Sequence, residues 1–464
     1  MVSEWEKKKI QDIVTILGDG LHGTPAYSDD GEYYFINGNN LENGRIVFRD
    51  KTKRVDHSQF LKFQKNLNDR TLLVSINGTI GNVAYYNGEK VVLGKSTCYF
   101  NLANDVDKRF IRYILSGHLF ISYLDSYATG TTIKNVSLKS MRDFSFKLPP
   151  LSEQKNIAHI LGALDDRIEL NRRMNETLES MAQVLFKSWF VEFDPVIDNG
   201  LASGKKIPEE LRDRAKARAA LGDKRKPLPE EIRALFPDEF THSAELGWIP
   251  KGWEVKTVSD FVEKLSKGTT ARKVDISNAK DEPKVPFLKV KDIDDKGIIK
   301  TEKLELIPRS VHEGPLKRSV LKEGDILFSI AGTIGRTAVV PAELHDSNSN
   351  QAIAFVRSKE KSKTYFLLQF LRSKNIQNRV HSRIVQAVQA NVSLTELGNL
   401  PVIYACEGII NYLNEHLTGI YHQKNHLHSG SERLKKLRDT LLPKLLSGEV
   451  RIPEAEKMVE ELAL

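Results

Sequence analysis

The chain has 464 residues, 40% hydrophobic and 28% charged, a globular composition too long for one compact core. No run approaches the roughly 18 consecutive apolar residues of a transmembrane helix, and the opening residues mix Glu, Lys and Asp among apolar ones, unlike a signal peptide. Two cysteines, Cys98 and Cys406, exclude a disulfide framework or a cysteine-based zinc site and point to a reducing cytoplasm, while 69 Lys and Arg against 61 Asp and Glu give a net +8 that permits a polyanionic partner without establishing one.

In chain order, the first notable segment is Trp5-Glu6-Lys7-Lys8-Lys9-Ile10-Gln11-Asp12-Ile13-Val14. It returns 248 residues later as Trp253-Glu254-Val255-Lys256-Thr257-Val258-Ser259-Asp260-Phe261-Val262. Next comes a strand pattern, Thr71-Leu72-Leu73-Val74-Ser75-Ile76, followed after Asn77 by the turn Gly78-Thr79-Ile80-Gly81. The block from Leu73 returns at an offset of 254 as Leu327-Phe328-Ser329-Ile330-Ala331-Gly332-Thr333-Ile334-Gly335. Asn135-Val136-Ser137-Leu138 returns as Asn391-Val392-Ser393-Leu394, and Leu148-Pro149 as Leu400-Pro401, at offsets of 256 and 252. Four blocks in the same order with slowly drifting offsets make the chain a duplication.

A long helical pattern follows each proline-marked boundary. In the first, Ser152 can cap the start, and Glu153 sits in the first turn, where the helix dipole favours a negative charge. Ile157, Leu161, Leu164, Ile168, Asn171, Asn175, Leu178, Ala182 and Leu185 recur at steps of four and three, a coiled-coil seam with asparagines at its middle. In the second, Ile410, Leu413, Leu417, Ile420, Lys424, Leu427, Ser431 and Leu434 repeat the rhythm, again polar near the centre. Two surface helices, each on its own domain, would explain the stripes separately; packing of the two on each other explains both together. Between the halves, Asn199 to Pro250 is proline-punctuated and charge-dense, with ten Lys/Arg and six Asp/Glu from Lys205 to Arg233. It reads as a solvated linker of short helices and loops, or else as an extra phosphate-contacting surface.

Motifs that would carry chemistry are weak. Gly88-Glu89-Lys90-Val91-Val92-Leu93-Gly94-Lys95-Ser96 has five residues between its glycines where a phosphate-binding loop needs four. Pro237-Asp238 with Glu254 and Lys256 fits a loose metal-dependent nuclease pattern, in which carboxylates hold a divalent ion and a lysine stands near the attacking water. However, Glu254 and Lys256 belong to the repeated block, and their counterparts Glu6 and Lys8 have no Pro-Asp before them. The only Pro-Pro, Pro149-Pro150, lacks the preceding Asn or Asp of an amino-methyltransferase. His422 and His426 have a spacing seen in zinc sites, but no Cys or carboxylate completes the set nearby, so a polar helix face is the better account.

Together these blocks resemble the specificity subunit of type I restriction-modification systems, over essentially the whole chain. The resemblance is carried by the duplicated Gly-Thr-Ile-Gly segments, by Gly130-Thr131-Thr132-Ile133-Lys134-Asn135-Val136, and by Leu148-Pro149-Pro150-Leu151-Ser152-Glu153-Gln154. Ser188-Trp189-Phe190-Val191-Glu192-Phe193-Asp194-Pro195, Leu235-Phe236-Pro237-Asp238 and Gly247-Trp248-Ile249-Pro250-Lys251-Gly252-Trp253 belong to the same pattern, as does Leu441-Leu442-Pro443-Lys444-Leu445-Leu446-Ser447-Gly448-Glu449. One departure is Tyr404-Ala405-Cys406-Glu407, where the family has Pro-Leu-x-Glu-Gln; the start of the second helix should differ accordingly.

The resemblance implies an α+β chain: two pseudo-symmetric α/β target-recognition domains separated by two long helices packed as an antiparallel coiled coil. The boundaries expected are 1–150 for the first domain, 151–198 for the first helix, 199–250 for the linker, 251–403 for the second domain, and 404–464 for the second helix and tail. It also implies a non-catalytic subunit that recognises a bipartite, asymmetric duplex DNA target. Its partners would be two methyltransferase subunits and two restriction-translocase subunits, which bind S-adenosylmethionine, ATP and magnesium; no cofactor is expected in this chain. A stand-alone nuclease using Asp238, Glu254 and Lys256, or a non-enzymatic DNA-binding scaffold, is the alternative. Residue chemistry suggests DNA contacts from Arg49, Lys51, Lys53, Arg54, Lys95, Thr131, Thr132 and Lys134 in the first half. In the second half it suggests Arg272, Lys273, Lys289, Lys291, Arg336, Asn348, Asn350, Gln351, Gln386 and Gln389.

Overall fold

The computed structural model describes residues 5–128, 135–224, 228–278, 282–385 and 391–463. The chain divides into two compact units, Met1–Arg173 with Leu427–Leu464, and Met174–His426. The boundary therefore passes through both long helices.

In the first unit, strands Val14–Asp19, Thr97–Leu102, Thr71–Ser75 and Val83–Tyr85 lie side by side in that order, all antiparallel. Thr71–Ser75 and Thr97–Leu102 are buried along their whole length, which is why they read as near-continuous apolar runs. Arg54–Val55, Tyr33–Ile36 and Val91–Leu93 form a small mixed sheet, and Glu6–Lys9 pairs with Ser145–Leu148. The second unit repeats each piece. Val262–Lys267, Ile353–Ser358, Ile326–Ser329 and Thr337–Val339 give the same four-strand order. Glu305–Pro308, Lys284–Leu288 and Asn348–Ser349 give the mixed sheet, and Glu254–Thr257 pairs with Pro401–Tyr404. The helices Lys108–Ser116 and His118–Tyr127 correspond to Thr364–Arg372 and Lys374–Val385.

The long helices run Leu151–Phe190 and Glu407–Ser447. Within the first unit, Asn171 Nδ2 donates to Ser431 Oγ at 3.2 Å, and Arg438 pairs with Asp165 at 2.8 Å. Within the second, Lys424 and Tyr421 both bond Glu179. Rising numbers on one helix meet falling numbers on the other, so the helices are antiparallel. Their apolar stripes also complete the cores of the domains. Ile157, Leu161 and Leu164 join Leu437, Leu441, Leu445 and Phe110 in one core; Phe186, Phe190, Ile410, Leu413 and Leu417 join Phe366 and Phe370 in the other. Of the expected seam, Asn171 and Leu427 are buried, whereas Ile168, Asn175, Leu178, Leu185, Ile420 and Leu434 are half-buried.

Two expectations are corrected. The segment before the second domain consists of short helices and loops and is exposed over most of residues 201–235, but it is anchored to the core and not wholly a solvated linker. It contains the helices Asp194–Ala202 and Arg212–Ala220 and the hairpin Phe240–Ser243/Gly247–Pro250, and it buries Phe236 and Ile249. Two of its arginines look solvated in sequence because their partners are twenty residues away. Arg214 Nε donates to buried Asp194 at 2.7 Å, and Arg218 pairs with Asp198. Those arginines are therefore not a phosphate-contacting face. The second helix begins at Glu407 rather than 404, because Pro401–Tyr404 is a sheet strand.

That start is built differently in the two halves. In the first, Gln154 accepts from the Asp107 amide at 2.8 Å and donates to the Pro149 carbonyl at 2.8 Å. In the second, Lys363 takes the place of Asp107 and pairs with Glu360 and Glu407 at 2.8 and 2.9 Å. Tyr404 donates to Glu407 and carries Lys256 over its ring at 3.6 Å.

Candidate nucleic-acid interface

In each domain the four-stranded sheet has two unlike ends. One end abuts the start of a long helix, at Asp107 with Gln154 and at Lys363 with Glu407. The other end gathers turns. Its framework is the Gly-Thr-Ile-Gly turn, in which Gly78, Gly81, Gly332 and Gly335 take φ of 74°, 87°, 74° and 90°, a region that favours glycine. Ser75 Oγ accepts from the Asn82 amide, and Ser329 Oγ from the Arg336 amide, both at 2.8 Å. The Val136 and Val392 amides donate to the carbonyls of Ile76 and Ile330 at 2.9 Å, so two of the repeated sequence blocks are hydrogen-bonded to each other.

A second turn lies beside the first, since the Ile76 amide donates to the Ser96 carbonyl and the Ile330 amide to the Ala352 carbonyl, each at 2.9 Å. It is held from behind by Gly20 in one domain and Gly268 in the other. A Cβ on Gly20 would lie 2.2 Å from the Gly94 carbonyl oxygen, and one on Gly268 would lie 2.1 Å from that of Asn350. The hydrogen bonds Gly94 N to Ile36 O and Thr97 N to Gly94 O match Asn350 N to Leu288 O and Ile353 N to Asn350 O. Gly94 is thus equivalent to Asn350, and Lys95 to Gln351, and both of the latter side chains are exposed.

In the first domain this end carries a basic, aromatic surface. Gly38 N and Ser96 Oγ join the loops at 37–40 and 94–96, and Asn40 bonds the Val47 carbonyl at 2.9 Å. On the neighbouring loop Arg49, Lys51, Lys53 and Arg54 are all exposed. Arg49 pairs with Glu42 and donates to the Asn39 carbonyl at 2.6 Å. Arg54 stacks on Tyr34 at 4.7 Å, Tyr34 on Phe48 at 4.1 Å, and Lys53 lies 5.8 Å from the Tyr27 ring. Exposed Tyr27 and Phe48 among cations suit the stacking and charge contacts of nucleic acid. Tyr27, Tyr34 and Phe48 were not legible beside the cations in sequence, because Tyr34 in its strand reads as core and Tyr27 and Phe48 stand in irregular segments with no pattern around them.

The second domain sorts its candidates more sharply. Gln351 is exposed and accepts from Thr270, and Lys291 is exposed. Arg272 pairs with Asp275 at 2.9 Å, and Lys289 with Glu305. Arg336 holds the Ile293 carbonyl at 2.8 Å and Asp295 at 2.7 Å, and Asn350 accepts from the Ala352 amide at 3.3 Å. Asn348 is corrected to a core residue. It is wholly buried, its amide donating to the Leu316 carbonyl at 3.1 Å beside His312, so it does not reach a groove edge. Thr131, Thr132, Lys134, Gln386 and Gln389 lie outside the described residues, as does the Lys273 side chain.

The family model described as the type I restriction modification DNA specificity domain matches residues 2–180 and 250–404, one match for each half of the duplication. The chain belongs to this family. It is similar to the HindI specificity subunit of Haemophilus influenzae, 26% identical over 75% of this chain and 78% of that one. It is also similar to the MjaIX specificity subunit of Methanocaldococcus jannaschii, 25% identical over 97% and 94%. The solved S subunit from M. genitalium shares the fold, with a TM-score of 0.54, 17% identity, and coverage of 95% and 96%.

A type I specificity subunit is a non-catalytic recognition component that works with other subunits and DNA. The nuclease alternative finds no support. Asp238 accepts from Ser203 at 2.9 Å, while Glu254 pairs with Lys256 two residues along the same strand at 3.3 Å. Among the described residues no group of three His, Cys, Asp or Glu is placed to hold a metal, and no helix is long and apolar enough to cross a membrane. His422 and His426 lie exposed on the second long helix.

Proposed function

We propose that each domain reads one half of a bipartite, asymmetric DNA target through the turn end of its four-stranded sheet. The reading directs methylation and restriction by two methyltransferase subunits and two restriction-translocase subunits in the cytoplasm. Those partners bind S-adenosylmethionine, ATP and magnesium, and this chain contributes no cofactor of its own. Exposed Met174, Met181 and Val184, recurring along the outer face of the first long helix, support it as a surface for partner chains.

The observation that carries this reading is the pairing of a common frame with different tips. Lys95 and Gln351 occupy one position in two copies of the same turn. In a major groove, a lysine suits the O6 and N7 acceptors of guanine, and a glutamine suits adenine bidentately. Phosphate contacts from Arg49, Lys51 and Lys53 would add affinity without sequence preference. Mapping methylated adenines in the host genome, with and without the gene, tests the reading. A split target that vanishes with the gene is expected. Gln351→Ala should then relax one position in one half-site only; relaxation in both halves, or in neither, would sink the assignment.

A further inference from the structure

The Gly-Thr-Ile-Gly turn has four residues, and the fold accounts for three of them. The glycines take positive φ, and a Cβ on Gly81 would also meet Ile121 Cδ1 at 2.3 Å, while one on Gly335 would meet Gln377 Oε1 at 2.2 Å. Ile80 and Ile334 each pack against the core of their own unit. The threonine is different. Thr79 and Thr333 are both exposed at the tip, and neither hydroxyl bonds another described residue. Neither has positive φ, so the backbone does not select the side chain. Two halves that have diverged at Lys95 and Gln351 have kept this outward hydroxyl. It stands at the same end of the sheet as those side chains, one hydrogen-bonded strand away.

We propose that Thr79 and Thr333 are equivalent DNA-backbone contacts, each hydroxyl donating to a phosphate oxygen of its own half-site. This rests on the reading that the turn end faces DNA, and it adds a division of labour. The tip that is the same in both domains fixes each domain on the duplex, and the tip that differs reads the bases. A neutral hydroxyl displaces no counterion, so its loss should lower affinity without altering the salt slope. It should also act equally on any DNA sequence.

The test uses the full chain assembled with its methyltransferase partner. Thr79→Val, Thr333→Val and the double variant keep the β-branched shape and remove the hydroxyl; Thr→Ser at each position restores it. Binding to a target duplex and to an unrelated duplex is measured over a salt series, alongside genome-wide methylation mapping. Each valine should weaken both duplexes about tenfold and the pair about a hundredfold, the low end of the range for a hydrogen bond to a charged acceptor. The methylated sequence and the salt slope should stay unchanged, and serine should rescue. Unchanged affinity would overturn the proposal, as would a changed base at one half-site or a loss of partner assembly in place of DNA affinity. A wild-type complex that shows no split target would instead defeat the parent reading, before any variant is compared.

Discussion

Two half-buried carboxylates show how single residues join a domain to the long helices. Asp165 receives Arg112, Arg438 and Tyr113, each at 2.7 to 2.8 Å, and Glu179 receives Arg372, Lys424 and Tyr421. Burial alone would push the Glu179 carboxyl up, but the adjoining Arg372 and Lys424 outweigh it and hold it below its ordinary value of 4.5. Glu179→Gln would leave two half-buried cations short of a counter-charge, and about 2 kcal/mol of stability should be lost at pH 7. A depressed carboxylate contributes stability above its unfolded pKa and loses it as pH falls through the folded one. The difference in Tm between wild type and Glu179→Gln should therefore be full at pH 7 and shrink below about pH 4. A difference that stays constant with pH would show that packing, rather than charge, holds the site. Cysteine chemistry gives a second residue-scale outcome. Burial pushes the Cys98 thiol up, while Cys406 is exposed. Iodoacetamide on the native chain should yield one adduct, at Cys406, since thiolate and access are both needed.

At the scale of elements, the repeated blocks marked the strands that lead into the glycine turns and the turns themselves, and the spacing of apolar residues marked both long helices. Asn171 was legible as a polar seam position because its spacing is local. Asp165 and Glu179 were not, since they lie off the seam and Arg112 and Arg372 come from helices far away in sequence. The Phe240–Ser243 hairpin was hidden by a surrounding run of charge and proline, although its partner strand carries the buried Ile249. Gly20 and Gly268 extend the first repeated block at the same offset of 248, so that signal was present in the sequence without a reason attached. The reason is the close approach of the backbone behind the turn that bears Lys95 in one domain and Gln351 in the other. Gly268→Ala would drive a Cβ to within 2.1 to 2.2 Å of the Asn350 and Ser349 carbonyl oxygens. Overpacking of this kind costs about 1–3 kcal/mol and moves the turn that bears Gln351. The expected outcome is a lowered Tm together with weakened selectivity in one half-site, read by methylation mapping. Weakened selectivity in both half-sites would mean that the damage is global.

For the molecule as a whole, duplication explains why 464 residues bury two similar cores, and why +8 says little about where DNA lies. Arg214 and Arg218, in the charge-dense middle segment, face carboxylates, whereas exposed Lys53 and Arg54 of the first domain lie beside the rings of Tyr27 and Tyr34. If each domain reads a half-site, the gap between half-sites should follow the length of the two helices, which have 40 and 41 residues. The antiparallel register allows a clean test. Asp165 pairs with Arg438 in one unit and Glu179 with Lys424 in the other. Removing residues 168–174 and 428–434 together deletes a heptad from each helix and leaves both pairs matched. Two turns are lost, about 10.5 Å at ~1.5 Å per residue, or about three base pairs at ~3.4 Å each. Methylation mapping should find both half-sites unchanged with a gap shorter by about three base pairs. Deleting the heptad from the first helix alone should abolish methylation, because Glu179 would lose its partners across the seam. An unchanged gap in the doubly shortened chain would show that something other than helix length sets the spacing.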